Sequence, residues 1–146
     1  MNLYDLHSKP ETLKGYEQRF QIPHLAYEEA QKIWDKTGKR IPKLEQAIAK
    51  DPKLAYQYAN EVIMQKFPLG EPVFAKDPEL AFNYAQLSNE RFRLGEPTIA
   101  TDPKWAYLYA FWVVKKRWPE GEPILKIGRN WRYRIAYEDH FKVKLK

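Results

Sequence analysis

Small apolar residues recur along this chain at helical spacing, and then the whole pattern starts again. Ala55, Ala59 and Val62 share a face by i, i+4, i+7 spacing, as do Ala81 and Ala85, and Ala106, Ala110 and Val113. Rings flank each stripe. The phrase Ala-aromatic-x-Tyr-Ala occurs at 55–59, 81–85 and 106–110, with a looser copy at 132–136 and an earlier relative at 26–30. Tyr56 and Tyr58 stand about 200° apart on a helical wheel. A helix apolar over so wide an arc needs neighbours on more than one side. Stacked repeats meet that demand, because each unit buries the apolar face that the next cannot bury alone.

The punctuation repeats with the pattern. Asp-Pro stands at 51–52, 77–78 and 102–103, spaced by 26 and 25 residues, and the preceding glutamates Glu45, Glu71, Glu96 and Glu122 are spaced by 26, 25 and 26. Asp51, Asp77 and Asp102 are expected N-caps, since a carboxylate accepts from free backbone N–H groups at the positive end of the helix dipole. The proline that follows has a suitable φ and no N–H to waste. Each long helix is expected to run about 15 residues, with Lys66, Arg91 and Arg117 near its negative pole. Gly70, Gly95 and Gly121 would then take the left-handed conformation that ends it. Glu-Pro at 71–72, 96–97 and 122–123 opens a short helix before the next Asp.

These signals predict an all-α fold: an α-solenoid of about five long-helix/short-helix repeats, of either hand, with degenerate capping units. The expected layout is a single domain over 1–146. It has an N-terminal cap at 1–21, repeats at 22–50, 51–76, 77–101 and 102–127, and a C-terminal cap at 128–146. Ser8 and Glu11 fit a capping box, with Pro10 just inside a short helix through Tyr16. Gly128-Arg129 replaces Asp-Pro in the last unit, whose helix is more polar and more basic.

Charge changes the picture at one end. The net charge is +6. Residues 1–114 hold 15 basic and 15 acidic side chains, and 115–146 hold 10 and 4, so the whole excess lies in the last stretch. It attracts anionic partners, nucleic acid or an acidic protein surface, or it is a solvated end. The longest apolar run, Trp105 to Val114, is about half the length of a membrane span. There is no cysteine, which fits a reducing compartment, and the N-terminus does not resemble a signal peptide. A cytoplasmic protein without a membrane partner is expected.

Catalytic signatures are not found. His7, His24 and His140 have no partner at metal-ligand spacing, so neither metal nor cofactor is expected. Ser8 is spoken for as a cap, and Ser88 has no nucleophile elbow around it. The repeated glutamates follow the repeat period. They are expected to cap the short helices or to pair with Lys66, Arg91 and Arg117. Two features are candidates for binding. One is the ring column Tyr56, Phe82, Tyr107 and Tyr133, paralleled by Tyr58, Tyr84 and Tyr109, which is either core or an exposed row. The other is the basic aromatic stretch Arg129, Trp131, Arg132, Tyr133 and Arg134, preceded by Lys115, Lys116 and Arg117. It has the composition to contact phosphates and stack bases, to serve as a protein hot spot, or to form a solvated cap with Trp131 turned inward.

The stretches KFPLGEPVFAKDPELAFNYA, RFRLGEPTIATDPKWAYLYA and RWPEGEPILKIGRNWRYRIA resemble a repeat of small, mostly uncharacterised proteins of tailed bacteriophages. The opening NLYDLHSKPETLKGYE is similar to the leader of such proteins. The second unit departs from the pattern in RIPKLEQAIAK, and the last lacks Asp-Pro. The resemblance implies a phage origin and a helical-repeat architecture, and it supplies no catalytic residues. Its implied partner is a host protein, such as a defence or transcription component, inhibited by occlusion in the host cytoplasm. The alternative is a nucleic-acid-binding protein using the basic C-terminal unit. The sequence leaves the oligomeric state open.

Overall fold

In the computed structural model, which describes residues 17, 18 and 20–146, each Asp-Pro pair begins a helix. Asp51 accepts from the Leu54 N–H, Asp77 from the Leu80 N–H, and Asp102 from those of Lys104 and Trp105. The capping-box helix expected at Ser8–Tyr16 lies outside the described residues. All regular structure among the described residues is helical, as the pattern predicts, and none of these helices is long and apolar enough to cross a membrane. By contacts the chain divides into two compact units, Met1–Gly70 and Glu71–Lys146.

In the first unit, α1 (Pro23–Thr37) packs on α2 (Pro42–Ile48). Gly38 ends α1 in the left-handed conformation, at φ 64°. After Asp51 comes α3 (Pro52–Gln57), which continues into a π turn at Tyr58–Val62, and a 3-10 turn follows at Pro68–Gly70. Ala55, Ala59 and Val62 are buried, and the Tyr58 ring packs edge-on against Phe67 with centroids 5.2 Å apart.

In the second unit the short helices are α4 (Glu71–Phe74), α6 (Glu96–Ile99) and α8 (Glu122–Leu125). The long ones are α5 (Pro78–Ser88), α7 (Pro103–Tyr109) with its π continuation Ala110–Val114, and α9 (Trp131–Phe141), which follows a 3-10 turn at Gly128–Asn130. Helix α7 packs against both α5 and α9. The Thr98 hydroxyl of α6 donates to the Ala75 carbonyl just after α4, at 2.6 Å. Ala81, Ala85, Ala106 and Ala110 are fully buried in this core, with Tyr84 and Tyr109.

Three expectations are corrected. The long helices are shorter than 15 residues, ending near Val62, Ser88 and Val114. The left-handed residues beyond those ends are Met64, Asn89 and Lys115, whereas Gly95 and Gly121 have φ of −87° and −91°, and Gly70 is not among the positive-φ glycines. The reason for glycine there is steric. A Cβ on Gly95 would come within 2.5 Å of the Phe92 ring, and one on Gly121 would strike the Trp118 ring. Arg91 and Arg117 consequently lie past the helix ends, in the connections.

The alternation of 26 and 25 residues now has a physical cause. Tyr58 to Met64 and Tyr109 to Lys115 each span one residue more than Tyr84 to Asn89. The extra residue is absorbed by widening the last turn from α to π: the π turns occur after α3 and α7, and α5 has none. Deleting Val114 therefore leaves the count of the 77–101 unit. It should keep the melting temperature within about 5 °C of the parent, a change of roughly 1 kcal/mol. Deleting Leu87 from α5, which has no residue to spare, should lower it by more than about 10 °C. Thermal melts followed by circular dichroism compare the two, and equal losses would refute this origin of the π turn.

Candidate partner-binding site

The repeated glutamates, the groups most easily mistaken for catalytic carboxylates, are engaged in a recurring cluster. Glu96 sits at the start of α6 and is buried. Arg91 grips it with both arms of its guanidinium, Nε to Oε1 at 2.7 Å and Nη2 to Oε2 at 2.9 Å. Tyr109 donates its hydroxyl proton to Oε1 at 2.8 Å and accepts from the Phe92 backbone N–H at 3.0 Å. Arg117, Glu122 and Tyr137 repeat the arrangement, with the Trp118 N–H as the fourth member. Arg40, Glu45 and Tyr58 form it in the first unit, and Tyr84 donates to Glu71 at 2.9 Å. The expected pairing of glutamates with Arg91 and Arg117 is present, and Arg40 and the tyrosine hydroxyls join it. The ring column resolves into two parts: Tyr58, Tyr84 and Tyr109 are buried core, while Tyr56, Tyr107 and Tyr133 are half-buried and Phe82 is buried.

A fifth carboxylate, Glu138 of α9, is held differently. The chain folds back after α9, so that the Leu145 backbone N–H donates to Glu138 Oε1 at 2.8 Å, and Arg134 and Lys144 pair with the same side chain. Arg134 also donates to the Leu145 carbonyl. Leu145 itself is buried.

Against this background the predicted site residues separate. Arg117 and Arg134 belong to the carboxylate clusters. Tyr133 leans on Tyr107, with ring centroids 6.4 Å apart. Lys115, Lys116, Arg129, Trp131 and Arg132 are exposed. Arg132 places its guanidinium 5.4 Å from the Trp131 ring centroid, a cation–π distance. Trp131 is 57% exposed, so it does not turn inward. Tyr107 meets Tyr133 and Phe111 meets His140, so α7 and α9 run in the same direction. Lys115 then lies about 12 Å along the axis beyond Tyr107, while Arg129 precedes Tyr133. The two halves of the predicted site occupy opposite ends of the helix pair.

Sequence reasoning passed over several exposed apolar residues of the second unit, among them Leu94 at 55%, Trp112 at 54%, Ile127 at 61% and Ile135 at 47%. Trp112 lies in the π turn beside Lys115 and Asn89, which share a notch of about 100 Å³. One signal was available. Trp112 stands where the earlier π turn has exposed Glu61, so the repeat does not require a ring there. Among the described residues no three His, Asp or Glu side chains are grouped to hold a metal ion. Comparison with family models, with curated proteins and with solved structures finds no match to this chain.

The clusters set a pH dependence. Burial alone would raise the Glu96 carboxyl, but Arg91 and Tyr109 outweigh it and hold it below the usual range. Arg117 does most to lower Glu122, and the Leu145 N–H does most to bring Glu138 down to about 2. Burial pushes the Tyr137 hydroxyl up to about 12. Depressed carboxylates stabilise the fold fully above the unfolded value of about 4.3 and lose that contribution as pH falls toward 2. A raised tyrosine stabilises below about 10 and loses its contribution as pH rises through 12. The melting temperature should be flat between about pH 5 and 9 and fall on both sides. A curve flat down to pH 2.5 would contradict the carboxylate assignment. Separately, Tyr109→Phe leaves the Glu96 carboxylate and the Phe92 N–H each short of a partner, and should cost about 1–3 kcal/mol in urea unfolding, with the fold retained.

Proposed function

We propose that this chain is a non-enzymatic α-solenoid module that binds another macromolecule, a protein, through the exposed aromatic and cationic surface of its C-terminal unit. The observation that carries the reading is the exposure of Trp131, more than half accessible with the Arg132 guanidinium over its ring. Tryptophan and arginine dominate binding energy at protein interfaces, and leaving a large ring in water serves no packing purpose. The repeated carboxylates support the same reading from the other side, because their lone pairs are committed to arginine and tyrosine. With the resemblance to phage repeats, the partner is a host protein, and occlusion of its working surface is the mode of inhibition.

The second reading, a nucleic-acid binder, draws on the same Arg–Trp pair and the basic C-terminal stretch, since bases stack on exposed rings beside cations. Affinity capture from bacterial lysate, with and without nuclease, separates the two. The expected result is one stoichiometric protein that survives nuclease and is lost with Trp131→Ala/Arg132→Ala. Arg134 is left intact in that variant because it holds Glu138. A bound set that vanishes with nuclease would replace the protein reading with the nucleic-acid one, and undiminished capture by the double variant would remove the site.

A further inference from the structure

Helix α7 lies between two neighbours, and the residues that meet them are two apart. Trp105 faces back to α5, its ring 5.3 Å from Phe82, and Tyr107 faces forward to α9, 6.4 Å from Tyr133. Residues i and i+2 stand about 200° apart on a helix, so backward and forward faces are opposite. On α9 the backward-facing residue is Tyr133, and the forward position two residues on is Ile135. The carboxylate clusters give the same register independently. Tyr137 does for Glu122 what Tyr109 does for Glu96, which again aligns Ile135 with Tyr107. The forward face of α9 is open over its first turns, where Trp131 and Ile135 are about half exposed, and beyond them the returning Leu145 segment closes over Glu138. The open part carries Ile135 and, one turn earlier, Trp131, with Ile127 just ahead of the helix.

We infer that this forward face of α9 is a docking site for an amphipathic helix of a partner protein, apolar along one stripe and acidic along its flanks, seated where a further long helix of the repeat would lie. The inference rests on the protein-binding reading and names the chemistry of the partner. Charge selects the occupant. The face is rimmed by exposed Arg129, Arg132 and Lys142, against exposed Asp139 alone on the acidic side. From Lys126 to Lys146 the chain has seven basic and two acidic residues. A second copy bringing its own α9 would set two basic rims against each other, which like-charge juxtaposition opposes. A helix with glutamates flanking leucines satisfies both the stripe and the rim, and helix-in-groove recognition uses such i, i+4 anchors. Trp131 and Ile135, one helical turn apart, form such an anchor pair.

The test uses the full chain and two synthetic helical peptides that share a leucine stripe, one flanked by glutamate and the other by lysine, in fluorescence anisotropy. The glutamate peptide should bind, and the lysine peptide should bind at least about tenfold more weakly. Trp131→Ala and Ile135→Asp, both at exposed positions and each checked for folding by circular dichroism, should each weaken the glutamate peptide by about tenfold or more, the size of a hot-spot loss. Trp112→Ala, in the π turn, should leave its affinity unchanged. No binding of the glutamate peptide, equal binding of both peptides, or an unaffected Ile135→Asp variant would overturn the inference. Self-association in sedimentation that Ile135→Asp abolishes would overturn it too, in favour of a second copy. If Ile135→Asp still captures the lysate protein, this face is wrong while the protein-binding reading stands. If no protein is captured by the parent chain, that reading fails first.

Discussion

A carboxylate taken out of water must have its lone pairs met, or the fold bears a cost of several kcal/mol. In this chain that constraint organises the repeat. Glu71, Glu96 and Glu122 open short helices and Glu45 lies in the first turn of one, and a tyrosine thirteen or fifteen residues later reaches back to each from the following long helix. In three of the clusters an arginine five residues earlier closes a two-armed fork on the same group. The tyrosine hydroxyl then takes a backbone N–H from the connection, at Phe92 and Trp118. Connection, short helix and long helix are thus joined at one ion. Because the glutamate sees both sides, neither the arginine nor the tyrosine can slip without stranding charge.

This explains where the repeat tolerates variation. Between glutamate and tyrosine the count is 13 in the three units from Glu45 to Tyr109. Between tyrosine and the left-handed residue it is free to change by one, since a π turn accommodates the extra residue without moving either partner of the ion. The last unit shows a second solution. The 3-10 turn at Gly128–Asn130 lengthens the path to 15 residues, and Tyr137 replaces the residue that the repeated phrase would have supplied. The glycines serve the same junction: Phe92 and Trp118, whose backbones feed the tyrosines, lay their rings against Gly95 and Gly121.

What the clusters consume also defines what remains for recognition. Arg91, Arg117 and Arg134 look like surface cations in sequence, yet each is committed to a carboxylate. The side chains left exposed around α9 are a smaller and more specific set, with Trp131 and Ile135 facing opposite to Tyr133. The same repeat geometry that sets Tyr107 against Tyr133 of α9 is what leaves Ile135 open.

The all-α class, the start of a helix at each of the three Asp-Pro pairs and the presence of a short helix at each Glu-Pro were legible in sequence, because caps and helical periodicity are local physics, acting within one or two turns. The burial of one tyrosine row was legible only as an alternative, since a ring beside an alanine stripe suits both a core and a binding face. The helix ends were misjudged because left-handed Met64, Asn89 and Lys115 carry no glycine, and the actual glycines answer to rings that approach from three residues away. The last unit was aligned by its Tyr-x-x-Ala phrase, whereas the carboxylate selected Tyr137. The candidate site was legible as composition, basic and aromatic. Sequence alone determined the elements, their period and the location of the excess charge. Only the tertiary structure decided which charges are spent and which face of α9 is open, because the tyrosines that meet the carboxylates and the helices that cover each face lie thirteen or more positions away, and the arginines five positions away pair only once the connection has turned them back.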